Sequence, residues 1–260
     1  MRENLPQENR FHENPAVKLL AFELATEACS VALWIDGEVR ERFEIAPRRH
    51  AELALPWAGQ LLAEAGIARN QLDAIALGRG PGAFTGVRLA IAIGQGIALA
   101  LDRPIVAVST LAALAASSLP LARAGERIEG IPVRRVLASI DARMGEVYSG
   151  AFDLRDGDAV ALGGEAVGAP AVIQLPDDGA GWHGVGTGFG AGDGALRERL
   201  SDRLVSVDAA ALPHARDVAR LAAIAFARGE AVAPECVEPA YLRNNVALTI
   251  SEQQALRDSR

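Results

Sequence analysis

The stretch GRGPGAFTG, Gly78 to Gly86, has the spacing nearest to a chemical motif in this chain. A glycine-rich turn running into a helix leaves backbone N–H groups open to an anion. Two phosphate motifs can be tested on it. A P-loop needs G-x-x-x-x-G-K-[ST], and no lysine occurs here, so that chemistry is excluded. The dinucleotide pattern G-x-G-x-x-A is met by Gly78, Gly80 and Ala83, but it needs an acid at the end of the next strand, and that strand ends in Val108-Ser109. Pro81 also removes one N–H donor. Two readings stay open: an anion site at the helix start, or glycines that only let the chain turn closely over a sheet. In both, Gly80 and Gly82 permit the turn and Thr85 is placed to cap a helix starting near Gly86.

The remaining reactive residues are sparse. Cys29 and Cys236 are far apart, and His12, His50, His183 and His214 are scattered, so neither a disulfide framework nor a zinc site is expected. Ser109, Thr110 and Asp141 have no nucleophile–base spacing with the histidines, and G-x-S-x-G is absent. Two acids stand at similar places, Glu23 and Asp141, each near the end of an apolar strand.

These residues must be held by a substantial fold. The chain has 260 residues, half of them hydrophobic, with a net charge of -7. That size suits one large domain or two ordinary ones. The acidic balance argues against tight nucleic-acid binding by this chain alone, which needs clustered basic residues. The first residues, MRENLPQENRFHENPA, are polar; positions 1–16 read as a mobile extension and not a secretory signal. No run of ~20 apolar residues suggests a membrane span. The segment after Arg88 comes nearest. Reduced thiols and these absences point to the cytoplasm.

Strands are expected over Val17–Leu24 and in the two halves of Ser30–Ile45, which flank the hairpin signal Asp36-Gly37. A helix follows over Arg49–Gly66, kinked or split by Pro56 and capped by Gly66. Further strands are expected at Ala74–Gly78 and Pro104–Thr110, then a short helix. After a turn-rich stretch, Pro120–Pro132, the order restarts: strand Val133–Ile140, strand Glu146–Phe152, turn Asp156-Gly157, third strand. We read a duplication of two α/β halves, 17–120 and 121–245, with a tail at 246–260. Gly181–Gly194 reads as a strand fragment in a glycine-rich loop, and His214–Gly229 as an amphipathic helix.

The helix after the glycine turn has almost no polar side. Gly86, Ala90, Gly94 and Ala98 form a small-residue stripe, and Leu89, Ile93, Ile97 and Leu101 a bulky one beside it. Glycine in a helix costs about 1 kcal/mol relative to alanine, so two of them need a packing reason. A sheet covers one face. Either the Arg49–Ala65 helix or another subunit covers the other.

The blocks LAFELATEACSVAL, RRHAEL, GRGPGAFTGVRLAIAIGQGIALAL, IDARMGEVY and PAYLR together resemble the bacterial TsaB (YeaZ) family over about Val17 to Arg243. The resemblance implies an actin/hexokinase-like (ASKHA, ribonuclease H-like) fold with two duplicated α/β halves. It implies a non-catalytic subunit in N6-threonylcarbamoyladenosine (t6A) synthesis on tRNA. TsaC supplies the threonylcarbamoyl-adenylate in that pathway, and TsaD transfers the group. The expected partners are a TsaD-like catalytic subunit and a TsaE-like ATPase, with tRNA reached only through the complex and homodimers possible in isolation. No cofactor is implied. Interface candidates, chosen by helical face, are Leu53, Trp57, Leu61, Arg88, Leu89, Ala90, Ile93, Gly94 and Ile97. A bulky charge at Gly94 or Ala90 is then expected to break docking with the fold intact. Gly80, Gly82, Thr85 and Gly86 are the structural turn; Glu23 and Asp141 mark a vestigial cleft. Two departures matter. The family's Asp-Thr after the first strand is here Glu23-Leu24. TsaD-like proteins carry H-x-x-x-H, and here His50 is followed by Ala54, so no metal pair is expected. The alternative is an ASKHA-type kinase or transferase acting alone on a small molecule.

Overall fold

The computed structural model describes residues 17–118, 127–128, 131–132 and 134–243. The expected extension at 1–16, most of the Pro120–Pro132 boundary and the 246–260 tail lie outside them. The first half runs β1 (Lys18–Glu23), β2 (Ala28–Ile35), β3 (Glu38–Ile45), α1 (His50–Ala65), β4 (Ala74–Gly78), α2 (Phe84–Leu101), β5 (Ile105–Val108) and α3 (Thr110–Ala116). A two-residue pairing, β6 (Arg127–Ile128) with β7 (Ile131–Pro132), follows. The second half runs β8 (Arg135–Arg143), β9 (Glu146–Arg155), β10 (Asp158–Ala161), β11 (Ala166–Gly168), β12 (Trp182–Val185), α4 (Ala195–Arg199), β13 (Leu204–Asp208) and α5 (Ala215–Ala227).

The two main sheets share one plan. The first has the order β3-β2-β1-β4-β5 and the second β10-β9-β8-β12-β13, with β11 added on β9. In each, three antiparallel strands are followed by two parallel ones. The hairpins turn where expected: Asp36 and Gly37 both have positive φ (49° and 92°), as do Asp156 and Gly157 (52° and 82°). That is the conformation a right-twisted two-residue hairpin demands.

Strand alternation separates the layers. On β1, Leu19 and Ala21 enter a central core, while Leu20 and Phe22 face an outer core under α1 and α2. On β8, Val136 and Ala138 share the central core and Leu137 faces a third cluster with Trp182 and Phe189. α3 and α5 fill the space between the sheets, and they are exchanged: α5, from the second half, lies on β1, β2 and β4, while α3, from the first, lies on β8 and β9. The start of α5 is tied to the first sheet, because Ala215 N–H donates to Ser30 Oγ (2.8 Å) and Arg216 N–H to Glu41 Oε1 (3.1 Å). The chain then returns along the first half. Val232 pairs with Ile105, Gln95 Nε2 donates to the Pro234 carbonyl (2.8 Å), and Ala240 N–H to that of Arg79 (2.8 Å).

α1 is continuous through Pro56, so of the two expectations there, kink or split, the split does not occur; it ends at Gly66 in the left-handed region. Cys29 is buried and its thiol is pushed up to about 12, by burial first and then by Glu44; Cys236 is exposed. A thiol reagent at pH 8 is expected to label one cysteine of the native chain, Cys236, and Cys29 only on unfolding. Two rapidly labelled thiols would contradict this burial.

Candidate interaction face and interlobe cleft

The glycine turn ends in a close approach of two backbones. Ala83 N–H donates to the Ala25 carbonyl (2.7 Å), which pins the start of α2 to the β1–β2 loop. A Cβ on Gly82 would stand 2.4 Å from that same oxygen, and one on Gly86 would stand 2.0 Å from the Leu24 carbonyl oxygen. Glycine is needed here for proximity, whereas Gly80 (φ 90°) is needed for the turn. Thr85 does not cap the helix. Ala83 is the residue before the first turn, no side chain caps it, and Thr85 lies exposed inside that turn. The anchoring bond at Ala83 starts the helix two residues before Gly86. α2 therefore spans 18 residues with Arg88 its one charge, long and apolar enough to cross a membrane by length and composition, beyond the shorter run seen from sequence.

The small-residue stripe faces inward. Ala90 and Ala98 have no exposed surface, and a Cβ on Gly94 would stand 2.6 Å from Leu77 Cδ2. Ala90, Gly94 and also Leu61, buried under α1, thus belong to this chain's own core and present nothing to a partner. A bulky charge at Gly94 or Ala90 would disturb the sheet contact first, so neither position separates docking from folding. The reason is that β4 packs with small and branched residues against α2, and only glycine and alanine let the helix approach it.

The bulky stripe lies on the other flank. Leu53 and Trp57 of α1, with Leu89, Ile93 and Ile97 of α2, are half-buried, and Leu55, Ala92, Gly96 and Leu99 are exposed. α1 packs on β2 beside α2, which packs on β4, so it does not lie over α2. Among the described residues nothing covers this outer side.

The acids Glu23 and Asp141 do not share a site. Asp141 lines a cleft between the halves, where its carboxylate pairs with Arg143 (2.8 Å) and its N–H meets Thr187 Oγ1 (3.1 Å). Glu23 is sealed beneath it. Its carboxyl accepts the Ala25 N–H (2.8 Å) and the Thr110 hydroxyl (3.1 Å), and burial raises its pKa to about 7. A buried carboxyl favours its neutral form because ions lose hydration there. The expected vestigial pair is one cleft acid and one core acid.

His50 is a strut. Its Nε2 lies 3.0 Å from the Thr26 carbonyl oxygen and 3.1 Å from that of Ala28. Both neighbours are acceptors, so this nitrogen carries the proton and ties α1 to the β1–β2 loop. Among the described residues no three His, Cys, Asp or Glu side chains come together as a metal cluster. Arg88 is half-buried, with its guanidinium carbon 3.2 Å from the Phe84 ring centroid and 5.0 Å from that of Tyr241. Sequence reasoning missed Phe84, because a helix start at Gly86 left it in the turn. Tyr241 stood inside PAYLR without a role, and Thr110 without its acid.

Doubled sheets of one strand order, paired helices between them and a cleft beside the β1–β2 and β8–β9 turns define the actin/hexokinase-like class of α/β protein. Comparison with known proteins narrows the class. A family model described as TsaD, tRNA N6-adenosine threonylcarbamoyltransferase, matches residues 43–250. The tRNA threonylcarbamoyladenosine biosynthesis protein TsaB of Escherichia coli is 42% identical over 238 residues, 89% of this chain and 96% of that protein. The TsaB of Haemophilus influenzae is 36% identical, over 88% and 94%. The structure of YeaZ from Pseudomonas aeruginosa is 46% identical and superposes with a TM-score of 0.76, covering 87% of this chain and all of that one. A TsaD transferase of Novosphingobium aromaticivorans matches over only 52% of this chain and 42% of its own length. The chain belongs to the TsaB (YeaZ) family, within the broader group that the TsaD model describes.

Proposed function

We propose that this chain is a non-catalytic subunit of the t6A machinery, and that it docks a TsaD-like transferase through the outer side of α1 and α2. A TsaE-like ATPase joins that assembly, and tRNA is met through the complex. The observation that carries the reading is the uncovered apolar flank of α2 beside Leu53 and Trp57 of α1. An apolar surface of this kind on a folded chain marks a protein contact. Family membership supplies the pathway, and the net charge of -7 fits a subunit that does not hold tRNA by itself. A second copy of the chain can occupy the same face in isolation. The alternative of an independent kinase or transferase finds less support, since Glu23 does not line the cleft that Asp141 lines.

The test is light scattering on the chain mixed with its cognate transferase subunit, with wild type and Ile93→Asp compared. Wild type is expected to give a one-to-one species. Ile93→Asp places a charge in the contact and is expected to weaken binding at least roughly 100-fold, with the chain still folded but at a lowered melting temperature, because half-buried Ile93 also packs on the outer core. Undiminished binding by a folded Ile93→Asp chain would overturn the reading.

A further inference from the structure

A cavity of about 970 Å³ opens between the halves at the start of α2. Its charged lining runs against the acidic average of the chain: Arg48, Arg88, Arg143 and Arg243 face Glu27 and Asp141. Two of the four arginines are already engaged, Arg143 by Asp141 at 2.8 Å and Arg243 by Glu146. Arg88 is not. Its Nη1 is buried and has no hydrogen-bond partner among the described residues. A charged N–H buried without an acceptor is destabilising, so the position is unfavourable unless an acceptor arrives.

The surroundings hold the guanidinium ready. It lies over Phe84 and under Tyr241, rings that are 63% and 56% exposed and so frame the mouth of the cavity. Tyr241 is fixed from both halves: Ala240 N–H bonds the Arg79 carbonyl, and Arg243 Nη2 donates to the Ala142 carbonyl (3.2 Å). No acid stands in the first turn of α2 and no side chain caps it, so the helix adds positive potential to the same space. The cavity is also continuous with the α1–α2 flank, because His50 and Ala51 of α1 and Leu89 of α2 form part of its wall.

We propose that the cleft receives an acidic side chain, Asp or Glu, of the protein seated on the α1–α2 flank. Arg88 pairs with its carboxylate, and Phe84 and Tyr241 close on the aliphatic stem. A planar guanidinium held between rings matches a carboxylate with two parallel hydrogen bonds. This rests on the docking reading above, and it makes charge as well as apolar area a condition of binding.

The experiment is calorimetric titration of the full chain with its cognate transferase subunit at several salt concentrations. Arg88→Gln is expected to weaken binding roughly 10- to 100-fold and flatten its salt dependence. Phe84→Ala, at an exposed position, is expected to weaken it by a smaller factor, and serves if Arg88→Gln fails to fold. Ile93→Asp is expected to weaken binding and keep the salt dependence. If Ile93→Asp loses binding while Arg88→Gln and Phe84→Ala match wild type, the acidic-anchor inference falls and the docking reading stands. If all three bind as wild type, both fall. Titration of the isolated chain with pyrophosphate or ATP separates the other anion source: uptake that disappears in Arg88→Gln would make the ligand a phosphate and overturn the protein carboxylate.

Discussion

Gly86→Ala is expected to destabilise the chain by about 3 kcal/mol or more, read as a fall in the urea midpoint. One added methyl would stand 2.0 Å from the Leu24 carbonyl oxygen, where no side chain can rotate away. Relief requires α2 to lift from the β1–β2 loop, breaking the Ala83 to Ala25 bond and opening the outer core. Overpacking a core costs 1–3 kcal/mol and more when the clash is with backbone, and this exceeds the gain of about 1 kcal/mol in helix propensity. Gly96→Ala isolates the second effect. That residue is exposed on the same helix with nothing within 4 Å of an added Cβ, so the variant is expected to gain up to about 1 kcal/mol. Equal effects of the two substitutions would contradict the close approach.

The second large effect concerns Glu23 and pH. Its pKa is about 7 in the folded chain, against 4.5 for the free side chain. Between these values the native state holds a proton that the unfolded state has released. Stability from this group is therefore full below about pH 4.5, declines as pH rises, and is lost above about 7, by about 3 kcal/mol in all. Glu23→Gln keeps a neutral acceptor for the Ala25 amide and is expected to hold its urea midpoint between pH 5 and 8 while wild type falls. Thr110→Val removes the hydroxyl that steadies the ionised form and is expected to carry the wild-type decline on to higher pH. A wild-type midpoint that climbs over this range would refute the assignment.

How far residues alone reveal this molecule differs by feature. The doubled strand order was legible because it rests on local signals: Asp36-Gly37 and Asp156-Gly157 set the hairpins, and apolar runs of strand length stand on either side. The stripe Gly86, Ala90, Gly94, Ala98 was legible as a sign of close packing, but its partner was not. Periodicity identifies a face and says nothing about what meets it, and Leu77 met this one. The bulky candidates Leu53, Trp57, Leu89, Ile93 and Ile97 stand on the outer flank; Leu61, Ala90 and Gly94 stand beneath it. Local sequence places Thr85 and Phe84 before the helix, but the start of α2 is decided by a bond to Ala25, far back in sequence. The place of Glu23 near the end of a strand points to a cleft acid, but Thr110, 87 residues later, donates to its carboxyl within the core.

The exchange of α3 and α5 limits how the cleft can move. Each half lends its last helix to the other's sheet, and the two helices touch. A hinge between the halves would have to pull α3 from β8 and β9, or α5 from β1 and β2, and expose the central core. Sliding one helix along the other keeps that core dry. Opening of the space around Arg88 is therefore a shear of small travel, and the lobes behave as interlocked parts and not as a jaw.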